Sequence, residues 1–564
     1  MKLTCVVQAF LNPAWPRVEQ YTAAVMLSFT AAVVLAPFIL YFYRWRVLRL
    51  MVGGASADSA MTEPPRTARA DARYCGKEFP GIEALKLASR ERATRLAWSL
   101  RIVALVFALV TVSLSLALRW QAASSAPDAP PALGVENVVV WWLVALSWTL
   151  LALGIAWPVV ILGTANPRFG RWFLLVTLPC LVLLMAMPLV NSRLAGQQLS
   201  GYVALLALVV VMCLGLVPRH MRNVVPTLTL SLSLAVIAWM EGDNLARSCS
   251  TCLGWLPIRT REEALRVGGF TAALIVVVLA MGFFGIYRML RAVASAYRNK
   301  RFSDAQLQVL FWYAALAGPI AGVIYASQRG PGAPPLAVII GISTLPTAIA
   351  YAWLTRRLPA PHRPPFTLLL LRVFGPTRRG ERLLDSLAAS WRFIGPVCMI
   401  GGPDLAKTSL EPHELAAFLA GKLKRAFVTN QASLDQTLAG LDLKPDPDRR
   451  YRVNEVYCAG EIWTHAARQL IELSDAVLID LREFHANRHG TATELAMLAH
   501  LGALSRTIAV VGKTTDLNAV RDAMATPRSS ADPAAVLRTV NVEDRLDSEE
   551  FFAKVIAAAQ AAHS

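Results

Sequence analysis

Glu494 is the carboxylate best placed to do chemistry in this chain. It lies in the stretch Ser474–Leu498, SDAVLIDLREFHANRHGTATELAML. The stretch reads as a buried strand, a polar loop and a helix start with Glu494 in the first turn. A carboxylate at a helix start is held ionised by the dipole. Beneath the anomeric carbon of a nucleoside it can stabilise the positive charge that builds as the C1′–N bond breaks, or attack that carbon. The same residues allow a structural use. Thr491-Ala-Thr-Glu494 has the S/T-x-x-E spacing of a capping box, in which Thr491 caps the helix and Glu494 reaches back to the cap amide. A carboxylate held that way is poorly free to act.

The elements that must position Glu494 can be read from residue 366 onward. Strand patterns occupy 366–374, 394–402, 451–457, 475–481, 506–512 and 537–542, with 451–457 read as a short edge strand. Helical patterns occupy 380–391, 412–426, 431–440, 459–472, 491–504, 514–524 and 547–562. FTLLLLRVF (366–374) is a continuous apolar run, as expected for a strand buried on both faces. The alternation predicts a cytosolic α/β domain with a mainly parallel sheet and helices on both faces. Ligands of such sheets bind beyond the carboxyl ends of the strands. Those ends carry Arg372, Gly401, Gly402, Asp404, Asp480, Arg482, Gly512 and Lys513. Glycines let backbone approach a ligand, and arginines suit phosphate. Carboxylates suit a ribose or a glycosidic carbon. Together with Thr491 at the helix start, the set points to a site for a nucleotide or nucleoside, with no metal and no separate cofactor.

Other motifs carry two readings each. Asp404 can bond a ribose hydroxyl or cap the turn after it. His485 and His489 are spaced i, i+4 but lie in a loop with no third metal ligand in view. VGKTT (511–515) lacks the Gly-rich lead of a phosphate loop and reads as a strand-end turn. RRYRVNEVYCAGEIW (449–463) could fold over a site as a lid or pack as an edge.

Composition separates a second region. The 564 residues are 55% hydrophobic and 17% charged, with a mean hydropathy of +0.45, too apolar for an ordinary soluble protein. The excess sits before residue 358. Scanned for runs of about 20 apolar residues, this region predicts about nine transmembrane helices. They lie near 21–43, 98–119, 138–163, 172–190, 201–218, 224–241, 269–290, 306–327 and 335–356. LPAPHRPP (358–365) is a stiff linker, and 366–564 is the α/β domain. Basic loops predict an extracytoplasmic amino terminus and a cytoplasmic carboxyl-terminal domain in a bacterial inner membrane. Orientation also accounts for much of the +18 net charge, so the lipid bilayer, not nucleic acid, is the expected macromolecular partner. Of eight cysteines, only Cys249 and Cys252 are close in sequence, as a disulfide or two thiols.

A buried strand, a loop and then GTATEL resembles the segment carrying the catalytic glutamate in TIR domains and nucleoside 2-deoxyribosyltransferases. The GTxxE spacing is also similar to that of the phosphoribohydrolases that release cytokinin bases. The resemblance implies a Rossmann-like fold in which Glu494 acts at an N-glycosidic bond, of NAD or a related nucleotide. It implies pocket roles for Asp480 and Arg482, and places Arg372 where the first strand meets a ligand loop. The Trp-Cys pair of TIR domains is absent, and Arg488 and His489 stand where the phosphoribohydrolases have two glycines. Sites of the TIR type are often completed by self-association, so a homo-oligomer is expected, serving as an effector or sensor in bacterial stress or defence. Two rival readings use the same residues. One is a channel or transporter regulated by nucleotide binding to a non-catalytic tail. The other is a membrane scaffold with a protein-binding tail.

Overall fold

The computed structural model describes residues 18–53, 81–124, 261–326, 336–359, 366–372, 390–401, 427–459, 462–525, 537–541 and 548–561. It also describes short pieces within 142–160 and 221–236, and residues 387, 415 and 418. The chain divides into two compact units. One comprises Met1–Leu40, Ser99–Trp353 and Leu410–Ala420, and the other Tyr41–Trp98, Leu354–Ser409 and Gly421–Ser564.

The long helices are α1 (Val18–Gly53), α2 (Ile82–Ser124), α3 (Arg261–Arg298), α4 (Asp304–Ala326) and α5 (Leu336–Arg356). They overturn the expectation of about nine transmembrane helices. Among the described residues two stretches, Leu27–Met51 and Ile82–Ala117, are long and apolar enough to cross a membrane. The expected spans 172–190 and 201–218 lie outside the described residues, and 138–163 and 224–241 are described only in pieces. An apolar run reads the same whether it faces lipid or other helices, and α4 shows why that matters. Its Trp312, Tyr313, Leu316 and Ala317 are buried. Tyr313 stacks on Phe107 with centroids 4.5 Å apart. Ser303 and Gln306 close its first turn reciprocally: Ser303 N donates to Gln306 Oε1 at 2.9 Å and Gln306 N to Ser303 Oγ at 3.2 Å. The orientation deduced from nine alternating spans loses its footing with that count.

The second unit is built on seven strands: β1 (Leu368–Arg372), β2 (Val397–Gly401), β3 (Phe427–Val428), β4 (Val453–Cys458), β5 (Ala476–Asp480), β6 (Thr507–Val511) and β7 (Arg538–Asn541). Their order is β3-β4-β2-β1-β5-β6-β7, and every pairing is parallel. The parallel sheet with helices is therefore present as expected. β4, expected at an edge, lies inside it between β2 and β3. Among the described residues, the helices that follow strands include α6 (Gln431–Ala439), α7 (Trp463–Leu473), α8 (His489–His500) and α9 (Leu517–Met524), with α10 (Ser548–Ala561) last.

Strand alternation sends side chains to two cores. Leu369, Leu371, Ile400, Val477 and Ile479 pack with α7, α8 and α9. Leu368, Leu370, Val397, Met399 and Leu478 pack with α10. The amino ends of the central strands are pinned together, with Thr367 N donating to Asp475 Oδ2 at 2.6 Å and Asp475 N to Thr367 O at 2.9 Å. Gly395 lets the chain cross Phe366 closely, since a Cβ there would overlap the Phe366 carbonyl.

The second core also takes Leu85 from α2. Ser89 Oγ donates to Ser390 O at 3.2 Å, and Arg92 Nη1 donates to Phe393 O at 2.5 Å. The helix thus starts well before the expected span edge at 98, and its first turns belong to the α/β unit. A knot of buried ion pairs closes the turn before β4. Arg450 Nη2 meets Asp448 Oδ2 at 2.7 Å, and Arg452 Nε meets Asp446 Oδ1 at 3.0 Å.

Candidate functional site

The chain leaves β1 toward β2 on one side and returns to β5 on the other, so the strand order reverses at the β1–β5 junction. A crevice at the carboxyl ends of such a junction is where ligands of open parallel sheets bind. Arg372 and Asp480, the last residues of β1 and β5, are register partners across it.

Asp480 is not free on this rim. Arg482 Nε donates to its Oδ1 at 2.8 Å and Nη2 to its Oδ2 at 2.5 Å. This two-point pair is partly buried and follows from the i, i+2 spacing at the strand end. Gly512, the residue after the neighbouring strand β6, lies against the Arg482 stem. The turn after β6 then clamps the same loop. Thr514 Oγ1 donates to Arg482 O at 2.6 Å, Thr515 Oγ1 to Leu481 O at 2.8 Å, and Gly512 N to Thr515 Oγ1 at 2.9 Å. The VGKTT residues are thus a strand-end turn that fixes the β5 loop.

On β2, Gly401 sits under the Tyr457 ring of β4, and a Cβ there would come within 2.5 Å of the ring. Tyr457 Oη in turn donates to Glu455 Oε2. Gly402 and Asp404 lie outside the described residues.

Glu494 differs from its sequence reading in two respects. Helix α8 begins at His489, with Arg488 in the N-cap position and no side chain capping it. Thr491 is therefore inside the first turn and Glu494 in the second, so the capping box does not form. Glu494 is 2% exposed, on the helix face that also buries Thr491, Leu495 and Leu498. Its Oε2 has no hydrogen-bond partner among the described residues. Burial pushes its carboxyl up to about 8. The group expected to be held ionised is instead held neutral at pH 7, because desolvation outweighs a dipole that fades beyond the first turn.

No protein-family model, curated protein or solved structure matches this chain. The likeness of GTATEL to glutamate-bearing glycosidase segments rests on those residues alone.

The two groups of candidates sit on different sides of one edge. Asp480 shares its strand parity with Leu478 of the α10-side core, whereas α8 packs on the opposite core through Leu495 and Leu498. The rim residues and Glu494 thus belong to opposite faces of the sheet rather than to one cluster. His485 and His489 are both exposed. Among the described residues no three His, Cys, Asp or Glu side chains come close enough to hold a metal ion.

The sequence reading missed Ser89 and Arg92, which reach the α/β unit from α2. Their signal was there in the i, i+4, i+7 spacing of Leu85, Ser89 and Arg92.

Proposed function

We propose that this protein is anchored in a membrane by its apolar helices and binds a nucleotide at the carboxyl edge of its parallel sheet, where Glu494 assists hydrolysis of the N-glycosidic bond. The observation that carries this reading is a buried carboxyl whose Oε2 has no hydrogen-bond partner among the described residues, on the helix that follows the junction strand β5. Burying a carboxyl unpaired is costly, and such groups concentrate at functional sites.

A neutral Glu494 serves as an acid. It passes its proton to the departing base nitrogen while the C1′–N electron pair goes to the base. Water adds its oxygen to C1′ and returns a proton to the carboxylate. This favours nucleosides and nucleotides whose base leaves protonated. NAD, whose nicotinamide leaves without needing a proton, is the weaker substrate of the two kinds.

The test uses full-length protein in detergent beside Glu494→Gln, incubated with NAD and a panel of nucleosides and nucleotides, with base release followed by chromatography. Release by the wild type alone supports the glycosidase. A second reading, nucleotide binding without chemistry, is favoured by the Asp480–Arg482 pair standing on the other side of the edge from Glu494. It predicts no release but a ligand-dependent rise in melting temperature in both proteins.

A further inference from the structure

Three arginines outside the candidate site repeat one arrangement. On α1, the Arg49 guanidinium lies 5.4 Å from the centroid of the Trp45 ring. On α3, Arg288 lies 5.9 Å from Phe284 and Arg291 5.4 Å from Tyr287. Each aromatic residue precedes its arginine by four positions, one helical turn. Each ends an exposed apolar stretch of its own helix: Leu35, Phe38 and Phe42 before Trp45, and Val277 and Met281 before Phe284.

The charge on these turns is unbalanced. Arg49, Arg288 and Arg291 are exposed and make no ion pair with a carboxylate among the described residues. The sequence holds no Asp or Glu from Tyr21 to Gly53, nor from Ala264 to Arg298. Aromatic rings favour the level where hydrocarbon meets headgroups. An arginine one turn further along reaches the phosphates with its stem still on apolar surface. Its planar fork matches a phosphate oxygen pair.

We infer that these aromatic–arginine turns bind the headgroups of an anionic phospholipid leaflet, in preference to zwitterionic lipid. The inference rests on the membrane placement proposed above. Apolar stripe, ring and unbalanced guanidinium follow one another in the order that a leaflet presents hydrocarbon, interface and phosphate.

The experiment reconstitutes full-length protein into vesicles of phosphatidylcholine with and without phosphatidylglycerol. Lipids retained after re-extraction into detergent are measured by mass spectrometry. The triple variant Arg49→Gln, Arg288→Gln, Arg291→Gln is run beside wild type and beside Arg521→Gln, which removes an exposed charge from α9. Wild type and the α9 variant should enrich phosphatidylglycerol, by roughly fivefold for each arginine engaged. The triple variant, eluting as the same species, should lose the enrichment. Equal retention of the two lipids by wild type, or undiminished enrichment in the triple variant, overturns the inference while leaving the membrane placement intact. Protein that stays soluble without detergent and floats with neither vesicle overturns both.

Discussion

Arg372 and Asp480 close β1 and β5 as register partners at the point where the strand order of the sheet reverses. Any ligand seated at that junction meets the turn in which Asp480 is already held by Arg482. The rim therefore offers a pre-set surface, with its carboxylate neutralised, rather than a free anion.

Asp480→Asn should loosen this turn. It leaves the Arg482 guanidinium partly buried without its two-point partner, and a cost of about 1–3 kcal/mol is expected. Thermal unfolding of full-length protein would show it. A nucleotide that binds the rim should lose affinity in the same variant, read as a smaller ligand-induced rise in melting temperature.

Glu494 sets a pH dependence with a definite sign. The native carboxyl, at about 8, holds its proton more tightly than the unfolded one at 4.5. Its contribution to stability is fully present below pH 4.5. It falls by up to about 1.4 kcal/mol per pH unit as pH rises to about 8, and is flat above that. Glu494→Gln, which stays neutral, should remove this slope and be the more stable protein at pH 8. Melting temperatures of the two proteins between pH 5 and pH 9 check this, and equal slopes would contradict the burial assigned to the carboxyl. Hydrolysis that uses Glu494 as an acid should decline as pH rises through 8.

Gly395→Ala should prevent or severely weaken folding of the α/β unit. The added Cβ overlaps the Phe366 carbonyl, which also accepts from Trp391 Nε1 at 3.0 Å. Backbone rather than a flexible side chain must move, and a loss of about 3 kcal/mol or more is expected. Circular dichroism and limited proteolysis of the full-length variant measure it.

Arg92→Met keeps the stem but removes the donor to Phe393 O. It should destabilise the α/β unit by about 1–3 kcal/mol, because a buried carbonyl loses its charged partner. Proteolysis of the segment around Phe393, followed by mass spectrometry, should quicken in the variant.

The sheet was legible because Leu368–Leu371, Val397–Ile400 and Val477–Ile479 are apolar on both faces, as only a covered parallel sheet requires. β3 was missed because Phe427–Val428 is too short to show any period. β4 was misplaced at an edge because Asn454 and Glu455 make it look half-solvated. The helix start near Glu494 was misread because Thr491 has the right spacing for a cap, while Arg488, which takes that position, gives no capping signal. Burial of Glu494 was not legible at all, since it depends on which core α8 covers. The helices failed for a related reason. Hydropathy reports that Trp312 avoids water, but not that Phe29 of α1 packs against it.

The order of the strands also bears on how the chain is made. Thr367, at the foot of β1, bonds to Asp475, which is 108 residues later. At roughly 5–20 residues per second, ribosomes leave the central strand without its β5 neighbour for on the order of 5–20 s. Throughout that interval one flank of Leu368–Arg372 offers unpaired backbone beside four leucines. The middle of the finished sheet is thus its most vulnerable segment at birth, and the one a chaperone would have most reason to hold.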